Sequence, residues 1–202
     1  YLAAPLPSWA QEGGTAATLA RLRDPATRNR ILREVEEVGT DGNHGVPMDW
    51  TALVVTGTAD PALSWAVGSS VSDLARDRDE APGKVFVDLL IADELRSGCL
   101  LQVGNEENIR TIMRHGAHTA GSDGILVGER PHPRGWGTFP RYLGHYVREL
   151  GLLSLEECVR HLTSRPAQRL GLAERGVIQV GAVADLAVFD PDTVNSPATY
   201  EE

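Results

Sequence analysis

The tripeptide Ser122-Asp123-Gly124 is where residue type and spacing in this sequence best support chemistry. A carboxylate there suits general acid/base work or metal ligation. Gly121 and Gly124 on either side let the backbone turn sharply enough to carry it to a ligand. The same Asp-Gly pair is also ordinary β-turn chemistry, and the local residues leave both readings open. Further on, residues 131–140 read Pro-His-Pro-Arg-Gly-Trp-Gly-Thr-Phe-Pro. Prolines on both sides of His132 stiffen the backbone, so His132 and Arg134 are presented at little ordering cost. The planar fork of Arg134 suits a carboxylate, either of a ligand or of a neighbouring acidic residue.

Other chemistries find less support. The six histidines do not form a metal pattern: His115 and His118 flank an expected helix end and strand start, and there is no His-x-His, CxxC or H-E-x-x-H. His145 and His161 fall within expected helices and read as satisfied side chains. No GxGxxG, P-loop or Gly-x-Ser-x-Gly elbow occurs, so nucleotide binding and a serine hydrolase have no motif behind them. Cys99 and Cys158 are too few for a disulfide framework and read as buried free thiols.

The elements that must position these residues follow from the periodicity. A helix is expected over 15–22, and a second, with Asp24 as N-cap and Pro25 at its first position, to about Val38. Residues 53–56 and 99–103 read as short strands, 70–76, 85–95 and 106–114 as helices, and 118–122 as a strand ending at Asp123. Such alternation predicts βα units and a parallel sheet, with Asp123 at the C-terminal strand end where such sheets carry their sites. Residues 128–138 read as a loop, 139–150 as a helix, and Ser154-Leu-Glu-Glu157 as a reciprocal capping box opening a helix to about Thr163. Beyond 172 the pattern becomes all-β, with strands expected at 176–181 and 184–190.

Composition bounds the partners. The 202 residues are 42% hydrophobic and carry a net charge of −9, from 19 Lys+Arg against 28 Asp+Glu. The basic stretch Arg21–Arg33 is interleaved with acids and reads as a solvated face, so no nucleic-acid or anionic-membrane partner is expected. No apolar run approaches membrane-spanning length and no signal-peptide pattern is present, which makes the expected location cytoplasmic. The length falls short of the roughly 250 residues of a complete (β/α)₈ barrel.

Taken together, Gly121-Ser-Asp-Gly124, Pro131-His-Pro-Arg134, Gly137-Thr-Phe-Pro-Arg141 and Leu143-Gly-His-Tyr146 resemble the N-acyl-D-amino-acid deacylases (D-aminoacylases) of the amidohydrolase superfamily. Residues 6–14, 162–172 and 175–190 resemble them as well, so the likeness covers nearly the whole chain. The 175–190 motif is superfamily-wide, whereas the SDG, HPR and GTFPR combination points to the deacylase branch.

The resemblance implies an α/β fold: the C-terminal part of a metal-dependent-hydrolase TIM-type (β/α)₈ barrel over 1–168, and a segment of a small β-sandwich with the C-terminal tail over 169–202. It implies hydrolysis of the linear amide bond of N-acyl-D-amino acids by metal-activated water, with one or two zinc ions in the complete enzyme. Asp123 aligns with the family's catalytic carboxylate, which passes a proton to the leaving amine and also touches metal. Arg134 aligns with the arginine gripping the substrate α-carboxylate, Tyr1 matches a substrate-contacting tyrosine, and His132, in the same loop as Arg134, is a further substrate-binding candidate. The family's other metal ligands would precede Tyr1, and Cys99 and Cys158 match none of them. The expectation is a back portion with the missing N-terminal portion of the same protein as a partner. Two other readings stand beside it: a non-catalytic remnant serving as a binding or assembly module, and a dihydroorotase- or hydantoinase-like cyclic amidohydrolase, which the HPR and GTFPR loop disfavours.

Overall fold

The computed structural model describes residues 1–126 and 132–199. They fall into two compact units, one of residues 1–103 and one made of 104–126 with 132–199.

The first unit is a helical layer on a two-stranded sheet. Its elements are α1 (Ser8–Gln11), α2 (Gly14–Arg23), α3 (Pro25–Arg33), β1 (Leu53–Gly57), α4 (Val71–Arg78), α5 (Pro82–Ala92) and β2 (Gly98–Leu101). Caps start the helices where the sequence places them. Asp24 accepts from the Thr27 N–H at 2.8 Å with Pro25 at the first position, and Ser70 accepts from the Asp73 N–H at 3.0 Å. After Arg33, α3 widens into a π-helical turn, Glu34–Val38, closed by Gly39 at φ +95°. The apolar positions of these elements converge on one core in which Leu2, Leu6, Leu22, Ile31, Leu53, Val55, Phe86 and Leu90 are fully buried.

The two strands correct one expectation. They pair antiparallel, Leu53 opposite Leu101 and Val55 opposite Cys99, with a bulge before Gly57. Alternating strands and helices fit either direction. Here Leu53 and Val55 enter the core, and Leu101 and Cys99, directly opposite them, pack against it from the same face of the antiparallel pair. Cys99 is half-buried rather than buried, and burial raises its thiol pKa. The loop after β1 is fixed by buried Asp93. It accepts from the amides of Ala59 (3.0 Å) and Asp60 (2.8 Å) and from the Ser97 hydroxyl (2.7 Å). Burial opposes its charge, but these donors outweigh it and hold the carboxyl below the usual range.

The second unit contains α6 (Glu106–Arg114), α7 (Arg134–Arg141), α8 (Leu155–Leu162) and α9 (Ser164–Arg169). Helix α7 begins five residues earlier than the sequence suggests, so Arg134 is its first residue and not part of a loop. Pro133 supplies a helix-compatible φ of −57° just before it. Residues 128–131 of the expected loop, including Pro131, lie outside the described residues. Pro140 sits inside α7 without an N–H to donate, and the chain continues as π-helical turns, Tyr142–Glu149. Ser154 caps α8 by accepting from the Glu157 N–H at 3.1 Å, but the box is not reciprocal, because the Glu157 carboxylate is taken by His161 and Arg165.

Two expected β regions are not strands. Residues 118–126 are irregular; their backbone docks on a helix, the Ala120 N–H donating to the His161 carbonyl at 3.2 Å, rather than on a neighbouring strand. Residues 172–199 are turns and irregular chain. Strand-forming residues lack ladder partners there, leaving Ile178 91% and Val188 97% exposed. Within the tail, 194–198 packs on the widened helix. A Cβ on Gly144 would lie 2.8 Å from the Val194 carbonyl oxygen, and one on Gly137 2.6 Å from Ser196 Oγ. Arg148 adds a bond to the Pro191 carbonyl at 3.2 Å.

Because the obstacle at Gly144 is backbone, Gly144→Ala should destabilise the second unit by about 1–3 kcal/mol. Differential scanning calorimetry checks this, with faster proteolysis of the tail as the accompanying sign.

Candidate active site

Asp123 and Arg134 meet. The Arg134 Nη2 lies 3.0 Å from Asp123 Oδ2. The approach is made possible by glycines on both sides: a Cβ on Gly124 would come within 2.9 Å of Gly135 Cα, and the Gly124 N–H donates to Ser122 Oγ at 3.2 Å. Asp123 itself has φ +47°, in the left-handed region that a non-glycine residue enters at a cost. Its side chain is 83% exposed while that of Arg134 is 35% exposed, so the carboxylate faces solvent and the guanidinium is largely sequestered. Arg134 Nε is buried and has no hydrogen-bond partner among the described residues. His132 is half-buried beside them, its Nδ1 accepting from the Arg134 N–H at 3.0 Å. Burial, then the nearby Arg134 charge, push its pKa down, against the opposing pull of Asp123.

A cleft of about 380 Å³ opens beside this group, with His132, Arg134, Thr138, Arg141, Tyr142 and Tyr146 among its walls. The Tyr146 hydroxyl donates to Glu106 Oε2 at 3.2 Å, and burial followed by the Glu106 charge raises its pKa. The structure thus brings Asp123, Arg134 and His132 together. Tyr1 belongs to the first unit, where it is 80% exposed.

Behind Tyr142 runs a polar chain that sequence reasoning did not assemble. His161 is fully buried. Its Nε2 faces Glu157 Oε1 at 3.1 Å, its Nδ1 faces His118 Nδ1 at 2.9 Å, and His118 Nε2 lies 3.4 Å from the Tyr142 hydroxyl. One tautomer set satisfies every contact: His161 donates from Nε2 to the carboxylate, His118 donates from Nδ1 to His161, and Tyr142 donates to His118. The spacing of Glu157 and His161 on one helix face was readable as an i,i+4 pair; the tertiary partners were not. His145 makes the same kind of local pair, with Glu149 at 2.7 Å. Cys158 is buried beside this chain and its thiol pKa is pushed up to about 11 by burial, which leaves it inert at neutral pH.

The zinc that the resemblance implies does not fit the described residues. No three His, Cys, Asp or Glu side chains among them lie together as a metal-holding group, and Asp123 is already ion-paired. Among the described residues no helix is long and apolar enough to cross a membrane.

A likeness to hydrolases emerges when this site is set against known proteins. A family model described as "Amidohydrolase family" matches residues 3–202, and the chain belongs to that family. More particularly, it is similar to the D-aminoacylase of Alcaligenes xylosoxydans xylosoxydans, 44% identical over 70% of this chain and 28% of that protein. The N-acyl-D-glutamate deacylase of the same organism is 47% identical over 52% of this chain and 22% of its own length. Among solved structures, a D-aminoacylase matches with TM-score 0.65 and 40% identity over 74% of this chain and 30% of that one. The N-acyl-D-glutamate deacylase of Bordetella bronchiseptica, solved with zinc and a phosphonate inhibitor, matches with TM-score 0.68 and 32% identity, covering 94% of this chain and 40% of that one. The branch of N-acyl-D-amino-acid deacylases expected from the motifs is therefore the right one. The chain spans well under half the length of each of these relatives.

Two outcomes follow from the site. The pKa of His118 is pushed down by burial, then by His161 and Arg165 nearby. Such a histidine binds its proton more tightly when unfolded. Its contribution to stability is whole above the ordinary value near 6.5 and is lost as pH falls below it. The melting temperature should fall between about pH 7 and pH 5, and His118→Leu should flatten that slope; thermal melts across the range read both. Zinc analysis of the purified 202-residue chain should find well below one equivalent.

Proposed function

We propose that this chain is the substrate-carboxylate-binding and proton-transferring part of an N-acyl-D-amino-acid deacylase, hydrolysing a linear amide to a D-amino acid and a carboxylate. The observation that carries the reading is the Asp123–Arg134 pair with its unpartnered Arg134 Nε. The Nε and Nη2 of a guanidinium form one edge of its fork, matched to the two oxygens of a carboxylate. Among the described residues that edge holds one oxygen, from Asp123, on Nη2.

A substrate carboxylate taking both positions displaces Asp123 from Arg134. The exchange is downhill. An ion pair whose acid is as exposed as Asp123 is worth about 0–1 kcal/mol, whereas hydrogen bonds to a charged, buried donor are worth about 1.5–3 kcal/mol each. Substrate arrival therefore releases Asp123 beside the amide. Asp123 then accepts a proton from the attacking water and gives it to the departing nitrogen, so that it ends the cycle as it began. His132, held by the Arg134 amide, fixes the start of α7 and with it the direction of the fork.

The remaining expectations belong to this reading: the barrel portion over 1–168, the sandwich segment over 169–202, and Tyr1 as a substrate contact. Their support is the likeness to complete deacylases. Zinc is the cofactor expected of the complete enzyme, and its ligands other than Asp123 have no counterpart among the described residues.

The test is made in an active deacylase that contains this segment. Arg134→Ala should raise KM for N-acyl-D-amino acids by about tenfold or more, with a smaller change in kcat. Asp123→Asn should lower kcat by about 10²-fold or more while substrate still binds. Wild-type turnover by Asp123→Asn would remove Asp123 from the mechanism.

A further inference from the structure

A second group of cationic side chains in the same unit has no role in this reaction. Arg160 of α8 and Arg165, Gln168 and Arg169 of α9 line a groove of about 790 Å³ together with Thr119. No carboxylate and no aromatic ring lines it, and it shares no residue with the Arg134 cleft.

The charge there is not balanced. Glu157 is the acid that meets these arginines, with Arg165 Nη2 at 2.7 Å and Arg160 Nη1 at 3.5 Å, and it also receives His161. Arg169 has no ion pair among the described residues. Arg165 and Arg169 are four apart on one helix, where like charges repel. Arg165 is the informative member. Its side chain is only 13% exposed, and its Nη1 is buried without a hydrogen-bond partner among the described residues. A charged donor in that condition has lost water without a hydrogen bond to replace it, so this differs from a solvated surface arginine. The Thr119 hydroxyl and the Gln168 amide add further hydrogen-bonding capacity without partners among the described residues.

We propose that this groove binds a phosphate group, free or carried as a small phosphomonoester. Three guanidinium groups approaching from two helices suit the several acceptor oxygens and the double charge of a tetrahedral dianion better than a planar carboxylate, for which one fork suffices. The absence of a ring among the lining residues removes the stacking surface a nucleobase would use. In a chain of net charge −9, the patch concentrates positive potential where a small dianion enters without meeting a carboxylate wall.

The experiment is calorimetric titration of the 202-residue chain at low ionic strength with inorganic phosphate, glycerol 3-phosphate and acetate. Phosphate should bind saturably at one site, with acetate about tenfold weaker or worse. Arg169→Gln, which disturbs no existing ion pair and should keep the native circular dichroism, should weaken phosphate by about tenfold. Arg165→Gln with Arg169→Gln should abolish it. Arg134→Ala should leave it unchanged. Glycerol 3-phosphate binding at the same site supports an ester ligand, and binding of inorganic phosphate alone supports the free ion. Absence of saturable phosphate binding, equal affinity for acetate, indifference to Arg169→Gln, or loss in Arg134→Ala would each overturn the proposal.

Discussion

The second unit depends on the grip of the Glu157 carboxylate on the His161 imidazole. His161 is fully buried, and a buried ring of this kind must have both nitrogens satisfied. Glu157 takes one, His118 the other, and the His161 carbonyl holds the Ala120 amide. The irregular segment leading to Asp123 is thereby fastened to α8 through backbone and side chain at once, three residues before that carboxylate. The same Glu157 holds Arg165, one of the arginines that line the second groove. One acid on one helix thus braces both the segment before Asp123 and the arginines of α8 and α9.

The two carboxylate–cation contacts of this unit are built to different strengths. The Glu157–His161 contact is closed to water on the histidine side and is costly to open. The Asp123–Arg134 contact leaves its acid in solvent, so exchange for another carboxylate costs little. The proposed hydrolytic role calls for this arrangement: a rigid frame, and beside it a pair held loosely enough to be traded. The left-handed backbone at Asp123 places that strain in the loop, where the frame over-determines it.

Much of this was legible in the residues, and the failures have physical reasons. Helix starts carried by local chemistry were readable at Asp24-Pro25, Ser70 and Ser154, because a cap is satisfied within three residues of itself. Asp123 and Arg134 were each readable as candidates through their motifs, while their ion pair, and the close approach at Gly124 and Gly135, came from the structure. The errors arose where the outcome depends on distant partners. The 118–122 segment has strand-like residues but finds a helix, not a strand, to bond with. The strands after 172 have the alternation but no ladder. The alternation of strands and helices fits a parallel or an antiparallel pair, so it did not specify the direction of β2 relative to β1. The His118–His161–Tyr142 chain joins residues up to 43 apart in sequence and has no local signature beyond the Glu157–His161 spacing.

Gly144 carries a consequence for reading mutational sensitivity. It lines no part of the Arg134 cleft, yet its hydrogen is all that fits beneath the Val194 carbonyl. In a saturation library scored by turnover, every replacement at 144 would look as damaging as loss of a reacting group. Two measurements would separate the causes: residual specific activity per folded molecule, and yield of folded molecules. A position can be intolerant because the tail needs the room, while the chemistry a few turns away is untouched.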